Sequence, residues 1–193
     1  QRIDDTLAGN LCRCTGYGPI IDAARRMGEA AFETPAAESG AALGRLAGLA
    51  GADSLVLSSH GTRYFAPTTT DELAAILLDH PDACLLAGGT DVGLWVTKKH
   101  RRLDPVVYLG KISELRTIEI TDGMIEIGAA ATYSDTIDLI GEHYPDFGEL
   151  LRRLGSVQIR NLGTIGGNVA NGSPVGDAPP ALIAAGAELV LRK

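Results

Sequence analysis

The sequence predicts an α+β fold for most of the chain, on the evidence of its patterning, its glycine content and its hydrophobic content. Helical patterns, in which apolar residues recur every three or four positions, alternate with short strand-like apolar runs. Glycine is abundant, with 24 residues, whereas aromatic residues make up only 5%. This balance suits a loop-rich protein of mixed helices and strands better than an all-helical one. A hydrophobic content of 45% in 193 residues is enough for one medium-sized domain and a small appendage.

The chain is predicted to divide into three segments. Residues 1–33 are expected to be mostly helical, because apolar residues recur at helical spacing from Ile20 to Ala31. Residues 34–61 are rich in Ala, Gly and Ser, which is typical of a linker, with a weak helical turn as the most regular structure expected there. The patterning of residues 62–193 predicts the main α+β domain.

The main domain is predicted to begin with a helix and two buried strands. Thr69 and Glu72 have the spacing of a capping box, so a helix is expected over residues 71–79. Apolar runs at residues 84–87 and 106–109 have the length of short buried strands.

A β-hairpin and three further helices are predicted in the second half of the chain. Asp122-Gly123 separates two alternating segments, at residues 118–120 and 124–127, and this dipeptide favours a tight hairpin turn. The remaining predicted elements are helices over residues 134–143, 146–154 and 179–185 and a strand over residues 189–191.

The composition argues against several classes of function. A net charge of −7 lacks the basic footprint of a nucleic-acid-binding protein. No apolar run approaches the roughly 20 residues of a membrane-spanning helix, and the first residues lack the apolar stretch of a signal peptide. We therefore expect a cytoplasmic protein that binds neither nucleic acid nor a membrane.

Two segments carry glycine at a density that a hydrophobic core does not require. They are residues 85–93, LLAGGTDVG, and residues 163–174, GTIGGNVANGSP. Paired glycines let the backbone approach a ligand closely and let successive N–H groups converge on an anion. The dinucleotide pattern G-x-G-x-x-G and the P-loop pattern do not occur, so tight turns in a scaffold without a ligand are the alternative explanation of either segment alone. The presence of both in one domain favours the binding of a pyrophosphate.

The two glycine segments together resemble the FAD domain of the molybdenum hydroxylases, which has the vanillyl-alcohol-oxidase-type (PCMH-type) fold. The resemblance runs from about residue 64 to residue 193. It implies that the first segment wraps the FAD pyrophosphate, that the second flanks the same cofactor, and that Asp177 reaches a flavin hydroxyl. The cofactor-binding residues that the resemblance implies are Leu85, Leu86, Ala87, Gly88, Gly89, Thr90, Asp91, Val92, Thr164, Ile165, Gly166, Gly167, Asn168, Ser173 and Asp177.

A C-x-C pair, Cys12 and Cys14, is the second chemical signal. At a helix start two thiolates could converge on iron, although two buried free cysteines explain C-x-C alone equally well. The longer string NLCRCTGY, residues 10–17, resembles the second half of the helical 2Fe–2S domain of the same family. In that domain an upstream C-x-x-C pair completes the four ligands, and this sequence contains none. Two of the four metal ligands are therefore present, and we predict that the isolated chain carries no stable cluster.

Three other features have a structural and a functional interpretation. The basic run at residues 98–102 is interpreted as a solvated face, with docking of a partner subunit or of nicotinamide-cofactor phosphates as the alternative. Trp95 is interpreted as part of the core packing, with a position near the cofactor as the alternative. Leu154, ten residues before Thr164, corresponds by resemblance to an apolar residue beside the adenine.

The resemblance implies an electron-transfer function. A substrate is hydroxylated at a molybdopterin centre on a separate large subunit, and electrons pass through 2Fe–2S clusters to FAD and on to NAD+, or to oxygen in oxidase forms. No residue of this chain is expected to act as a general acid, base or nucleophile. Iron–sulfur and flavin segments on one chain resemble the bacterial small subunit of xanthine dehydrogenases, which oxidise hypoxanthine and xanthine. The alternatives are an FAD subunit of a carbon monoxide, nicotinate or aldehyde dehydrogenase, and a non-catalytic flavin-binding or assembly protein.

Overall fold

The chain divides into two compact units, Gln1–Asp53 and Ser54–Lys193. The structure, a computed structural model, describes residues 2–29, 36–49, 51 and 53–192. No helix within these residues is long and apolar enough to cross a membrane.

The first unit contains three helices, α1 (Arg2–Leu7), α2 (Gly18–Glu29) and α3 (Ala36–Leu49). The first two confirm the prediction of a mostly helical N-terminal segment, although residues 1 and 30–33 of that segment lie outside the described residues. Helix α3 falls within the predicted linker. The Ala and Leu residues of this segment favour a helix, and its small and polar residues obscure that preference in the sequence.

The second unit begins with a four-stranded sheet. Its strands are β1 (Leu55–Ser59), β2 (Thr62–Ala66), β3 (Cys84–Leu86) and β4 (Val106–Tyr108), in the order β1-β2-β4-β3. Strands β1 and β2 form an antiparallel hairpin, so the last residues of the predicted linker are part of the sheet. Strand β4 is parallel to both β2 and β3, and the helices α4 (Thr70–Asp79) and α5 (Val92–Thr97) make the crossovers that parallel strands require.

Helix α4 begins with the cap that the sequence predicts, with one difference. The Thr69 hydroxyl accepts a hydrogen bond from the Glu72 N–H at 3.2 Å. The Glu72 carboxylate accepts from the N–H of Thr68, at 2.8 Å, rather than from that of Thr69. The predicted helix start is confirmed, and the reciprocal bond lies one residue earlier.

The predicted hairpin is confirmed as β5 (Ile118–Thr121) and β6 (Met124–Ile127), which pair antiparallel. Asp122 and Gly123 have φ angles of 52° and 80°, the left-handed conformation of a two-residue hairpin turn. The helices that follow are α6 (Tyr133–His143), α7 (Pro145–Arg153), α8 (Val157–Arg160), α9 (Ile165–Asn171) and α10 (Ala178–Ala184). Together these elements confirm the α+β fold.

The strand predicted over residues 189–191 is absent from the structure. These residues have no regular secondary structure, and Leu189, Val190 and Leu191 are 69%, 94% and 78% exposed. A strand forms only where a neighbouring strand takes up its backbone hydrogen bonds, and no strand in the described part of the chain pairs with this segment. The short apolar run alone therefore overestimated the local order.

The main hydrophobic core lies between helices α6, α7, α9 and α10. Its buried residues are Tyr133, Ile140, Leu151, Ile165 and Ala178. This core supports the start of α6 and the start of α9, which carry the second glycine segment and the residues beside it.

Candidate functional site: a crevice between two glycine loops

The two glycine segments line one crevice of about 400 Å³. The first glycine loop (residues 85–93) leaves the carboxyl end of β3 and enters α5, whereas the second glycine loop (residues 163–174) enters α9. The carboxyl ends of parallel strands are where α/β proteins commonly bind ligands. The predicted cofactor residues that line the crevice are Leu85, Ala87, Gly88, Gly89, Thr90, Asp91, Val92, Thr164, Gly166, Gly167 and Asn168.

Four predicted cofactor residues do not line this crevice: Leu86, Ile165, Ser173 and Asp177. Side chains alternate along a strand, so Leu86 faces away from the side that Leu85 and Ala87 share. Ile165 is buried in the hydrophobic core. Ser173 and Asp177 lie farther along the chain, in the segment between α9 and α10.

The two loops meet at Gly88. A Cβ atom at this position would lie 1.6 Å from the carbonyl oxygen of Leu162, so only glycine permits the approach. At the other side of the second loop, a Cβ on Gly166 would lie 2.5 Å from the carbonyl oxygen of Ala129. The width of the crevice is therefore set by backbone in contact with backbone.

The first loop presents free backbone donors. From residue 88 to residue 92, no backbone N–H donates to an acceptor anywhere in the described ranges. Successive N–H groups of this kind form a concave site that favours an anion such as a phosphate.

The second loop has fewer free donors. The Gly167 N–H donates to the Thr164 hydroxyl at 3.0 Å, and the Asn168 N–H donates to the Thr164 carbonyl at 3.0 Å. Thr164 thus caps α9, and the N–H groups of Gly167 and Asn168 are already hydrogen-bonded to it. The anion-binding donors of the crevice belong mainly to the first loop, and the second loop contributes a wall.

Trp95 lines the crevice, so its assignment to core packing was wrong. Its indole N–H donates to the Asp91 carboxylate at 2.9 Å, and the Arg101 guanidinium lies 5.4 Å from the ring centroid. Asp91 and Trp95 are four residues apart at the start of α5, a spacing that places side chains on one helix face and that could have been read from the sequence. The basic run at residues 98–102 is exposed, as expected of a solvated face.

Two buried side-chain atoms of residues that line the crevice have no hydrogen-bond partner in the described part of the chain. They are the Tyr133 hydroxyl and the Asn168 side-chain oxygen, and both residues line the crevice. Tyr133 is 2% exposed, and its burial and the nearby Asp177 carboxylate raise its pKa to about 12. Buried polar groups are nearly always hydrogen-bonded in folded proteins. Both atoms are also shielded from solvent, so they lie behind the surface of the crevice rather than on it.

Part of the crevice lining is apolar. Leu154 and Ile159 line it, in the segment around α8. The buried side chain of Arg160 holds this segment, because its Nη1 donates to the carbonyls of Leu154, at 3.0 Å, and Gly155, at 3.3 Å. Apolar lining together with free N–H donors suits a ligand that has both an aromatic ring and a phosphate.

The predicted metal ligands Cys12 and Cys14 lie in the first unit, in the irregular segment between α1 and α2. The Thr15 hydroxyl is 2.9 Å from the Cys12 sulfur, and hydrogen bonds from the Thr15 side chain and backbone lower the pKa of the Cys12 thiol. Cys14 is exposed. Within the described residues, no group of three or more His, Cys, Asp or Glu side chains could hold a metal ion.

The α+β fold and the lining of the crevice suit a domain that binds a nucleotide-containing aromatic cofactor. The chain belongs to the family described as the FAD binding domain in molybdopterin dehydrogenase, whose model matches residues 59–193. The resemblance stated from the glycine loops is thereby confirmed.

Proteins of known activity support this membership. The chain is 28% identical to a xanthine dehydrogenase of Drosophila pseudoobscura pseudoobscura, over 94% of this chain and 17% of that protein. It is 34% identical to a nicotinate dehydrogenase FAD-subunit of Eubacterium barkeri, over 66% of this chain and 45% of the subunit. A solved structure of carbon monoxide dehydrogenase from Hydrogenophaga pseudoflava has a TM-score of 0.59 and 32% identity, over 63% of this chain and 43% of the other. The chain thus spans less than half of these relatives.

Proposed function

We propose that this chain is the electron-transfer part of a molybdenum hydroxylase and holds FAD in the crevice between its two glycine loops. The observation that carries the proposal is that loops 75 residues apart in sequence meet at Gly88 and line one crevice. When bound, FAD supplies electron transfer between one-electron and two-electron partners, which side chains cannot supply.

The residues of the crevice suit the parts of FAD. The free N–H groups of residues 88–92 would bind the pyrophosphate, with Thr90 as a side-chain donor. Leu154 would pack beside the adenine. The family resemblance implies that Asn168 flanks the same cofactor and that Asp177 reaches a flavin hydroxyl.

We further propose that the electrons reach FAD from 2Fe–2S clusters and pass on to NAD+. Cys12 and Cys14 would supply two ligands of one cluster, and a C-x-x-C pair elsewhere in a longer protein or on another chain would complete it. The lowered pKa of Cys12 supports this role, because the thiolate is the form that binds metal.

Among molybdenum hydroxylases, the alignments favour a protein of the xanthine dehydrogenase type, with a molybdopterin centre on a large partner subunit. Matches to xanthine dehydrogenases, such as that of Gallus gallus at 28% identity, extend over as much as 99% of this chain and so include the cysteine pair. The nicotinate dehydrogenase FAD-subunit aligns with only 66% of the chain. Hypoxanthine or xanthine is therefore the proposed substrate of the complete enzyme.

FAD binding can be followed through Trp95, since the chain has one tryptophan and this residue lines the crevice. We expect added FAD to quench the tryptophan fluorescence saturably, at one FAD per chain. The variant Trp95→Phe should lose this signal and still retain bound flavin, as judged by visible absorbance after gel filtration. A chain that neither quenches nor retains flavin would contradict the proposed function.

The proposed electron-transfer function and the non-catalytic alternative differ in how the bound flavin reacts with NADH. If the chain transfers electrons, the FAD-loaded chain should pass electrons from NADH to a dye. Tightly bound flavin that NADH does not reduce would instead favour a flavin-binding or assembly protein.

Iron analysis tests the cysteine pair. We expect the isolated chain to bind far less than the two irons of a complete cluster, because it supplies only Cys12 and Cys14 as ligands. The double variant Cys12→Ser/Cys14→Ser provides the background for adventitious iron. Two irons per wild-type chain, lost in that variant, would show that the chain completes a cluster by itself.

A further inference from the structure

We propose that Arg160 is a positioning residue of the crevice. Its buried guanidinium fixes the apolar lining formed by Leu154 and Ile159, so that these side chains are in place before an aromatic ring of the cofactor binds. Arg160 does not itself line the crevice, so it acts on the ligand only through these neighbours. This inference rests on the proposed function, since the aromatic rings are those of FAD.

Arg160 is a buried cation without a carboxylate partner. It is the last residue of α8 and is 6% exposed. Among the residues that the structure describes, no Asp or Glu forms an ion pair with it. Burying a charge is costly unless an opposite charge or hydrogen bonds compensate it. The compensation therefore comes from the carbonyl groups that the guanidinium contacts.

These carbonyl groups lie at the carboxyl end of α7. The Nη1 atom of Arg160 donates to the Leu154 carbonyl at 3.0 Å and to the Gly155 carbonyl at 3.3 Å, and Leu154 directly follows the helix. The carboxyl end of a helix carries a partial negative charge and favours a cation. The guanidinium therefore joins the end of α7 to the end of α8.

The turn that Arg160 holds is packed against the crevice lining and the second glycine loop. A Cβ on Gly155, whose φ is 58°, would lie 3.0 Å from the Ile159 Cγ2 atom, so the turn contacts this side chain directly. The Ile159 carbonyl accepts from the N–H groups of Leu162, at 3.2 Å, and Gly163, at 2.6 Å. Movement of the turn would thus displace a lining residue and the start of the second loop together.

The variant Arg160→Met tests this role, because it removes the charge and the donors and keeps an unbranched apolar side chain. A lining that is already ordered does not have to be ordered by the ligand, and this raises affinity. We expect the FAD affinity of the variant, measured by tryptophan quenching, to fall about tenfold, since Leu154 and Ile159 must then be ordered during binding.

Two further variants serve as controls. A single nitrogen, Nη1, donates to both carbonyls, so the ammonium of Arg160→Lys can replace it and should recover most of the lost affinity. Arg153→Met, on the end of α7 where the side chain is 73% exposed, should bind FAD as the wild type does.

Hydrogen exchange tests the same role without FAD. In Arg160→Met, backbone amides of residues 154–163 should exchange faster than in the wild type, whereas exchange in α4 should be unchanged. A wild-type chain that binds no FAD would overturn the proposed function itself, and this measurement would still decide whether Arg160 holds the turn.

Three results would overturn the inference. The first is unchanged exchange over residues 154–163 or unchanged FAD affinity in Arg160→Met. The second is a loss of affinity that Arg160→Lys does not recover, which would attribute the loss to altered packing. The third comes from the double variant Arg160→Met/Leu154→Ala, which should lose less affinity than the two single losses combined because Arg160 acts through Leu154. Fully additive losses would mean that Arg160 acts elsewhere.

Discussion

Replacing Gly88 with alanine is expected to reduce FAD affinity by roughly 10- to 100-fold. The added Cβ would lie 1.6 Å from the Leu162 carbonyl oxygen and 3.0 Å from the Gly163 backbone nitrogen, so one loop must move away from the other. Inserting a methyl group into a close-packed contact costs about 1–3 kcal/mol, and each 1.4 kcal/mol corresponds to a factor of ten in affinity. Because both neighbours are backbone atoms, no side-chain rotation can relieve the clash.

The matched control is Gly93→Ala in the same loop. Gly93 lies in α5, does not line the crevice, and has nothing within 4 Å of the position of its Cβ. Alanine there should leave FAD affinity unchanged and stabilise the helix by at most about 1 kcal/mol. Both variants can be titrated with FAD by tryptophan quenching. Wild-type affinity in Gly88→Ala would show that the loops are not in contact at this position.

The second large effect is expected at Gly148, where α6 and α7 cross. A Cβ on Gly148 would lie 2.5 Å from the Gly141 Cα, so alanine must push the two helices apart. Helix α6 carries Tyr133, and α7 carries the fully buried Leu151. We expect Gly148→Ala to lower the free energy of unfolding by about 1–3 kcal/mol and the Tm by several degrees.

Gly141→Ala is the control on the facing helix. Its Cβ would lie 3.8 Å from the Gly148 Cα, which is an ordinary van der Waals contact. Alanine is a better helix former than glycine, so this variant should be as stable as the wild type or more stable. Thermal unfolding of the FAD-free chain, followed by circular dichroism, measures both variants. Equal stability of the two variants would contradict the close helix crossing.

The elements that the sequence predicted correctly are those governed by near neighbours. The Asp122-Gly123 turn and the Thr69 cap depend on residues within about four positions, so their chemistry is visible in a short stretch of sequence. The glycine loops were found because paired glycines outside a core have few other uses.

The errors concern contacts between distant segments. Trp95 was assigned to the core, although its side chain lines the crevice, and Tyr133 was not recognised as a site residue. Nothing near Tyr133 in sequence indicates that its hydroxyl lacks a partner, since that depends on the chain around Gly163 and Asp177. The strand predicted over residues 189–191 was wrong for the same reason, because strand formation requires a partner strand.

The sequence by itself therefore determined the α+β class, the two glycine loops and the family, because these are properties of residue type and local spacing. Only the tertiary structure decided that the loops meet at Gly88, that Leu86 and Ile165 face away from the crevice, and that Tyr133 lines it. The physical reason is that the width of a crevice and the satisfaction of a buried polar atom depend on close packing between segments far apart in the chain.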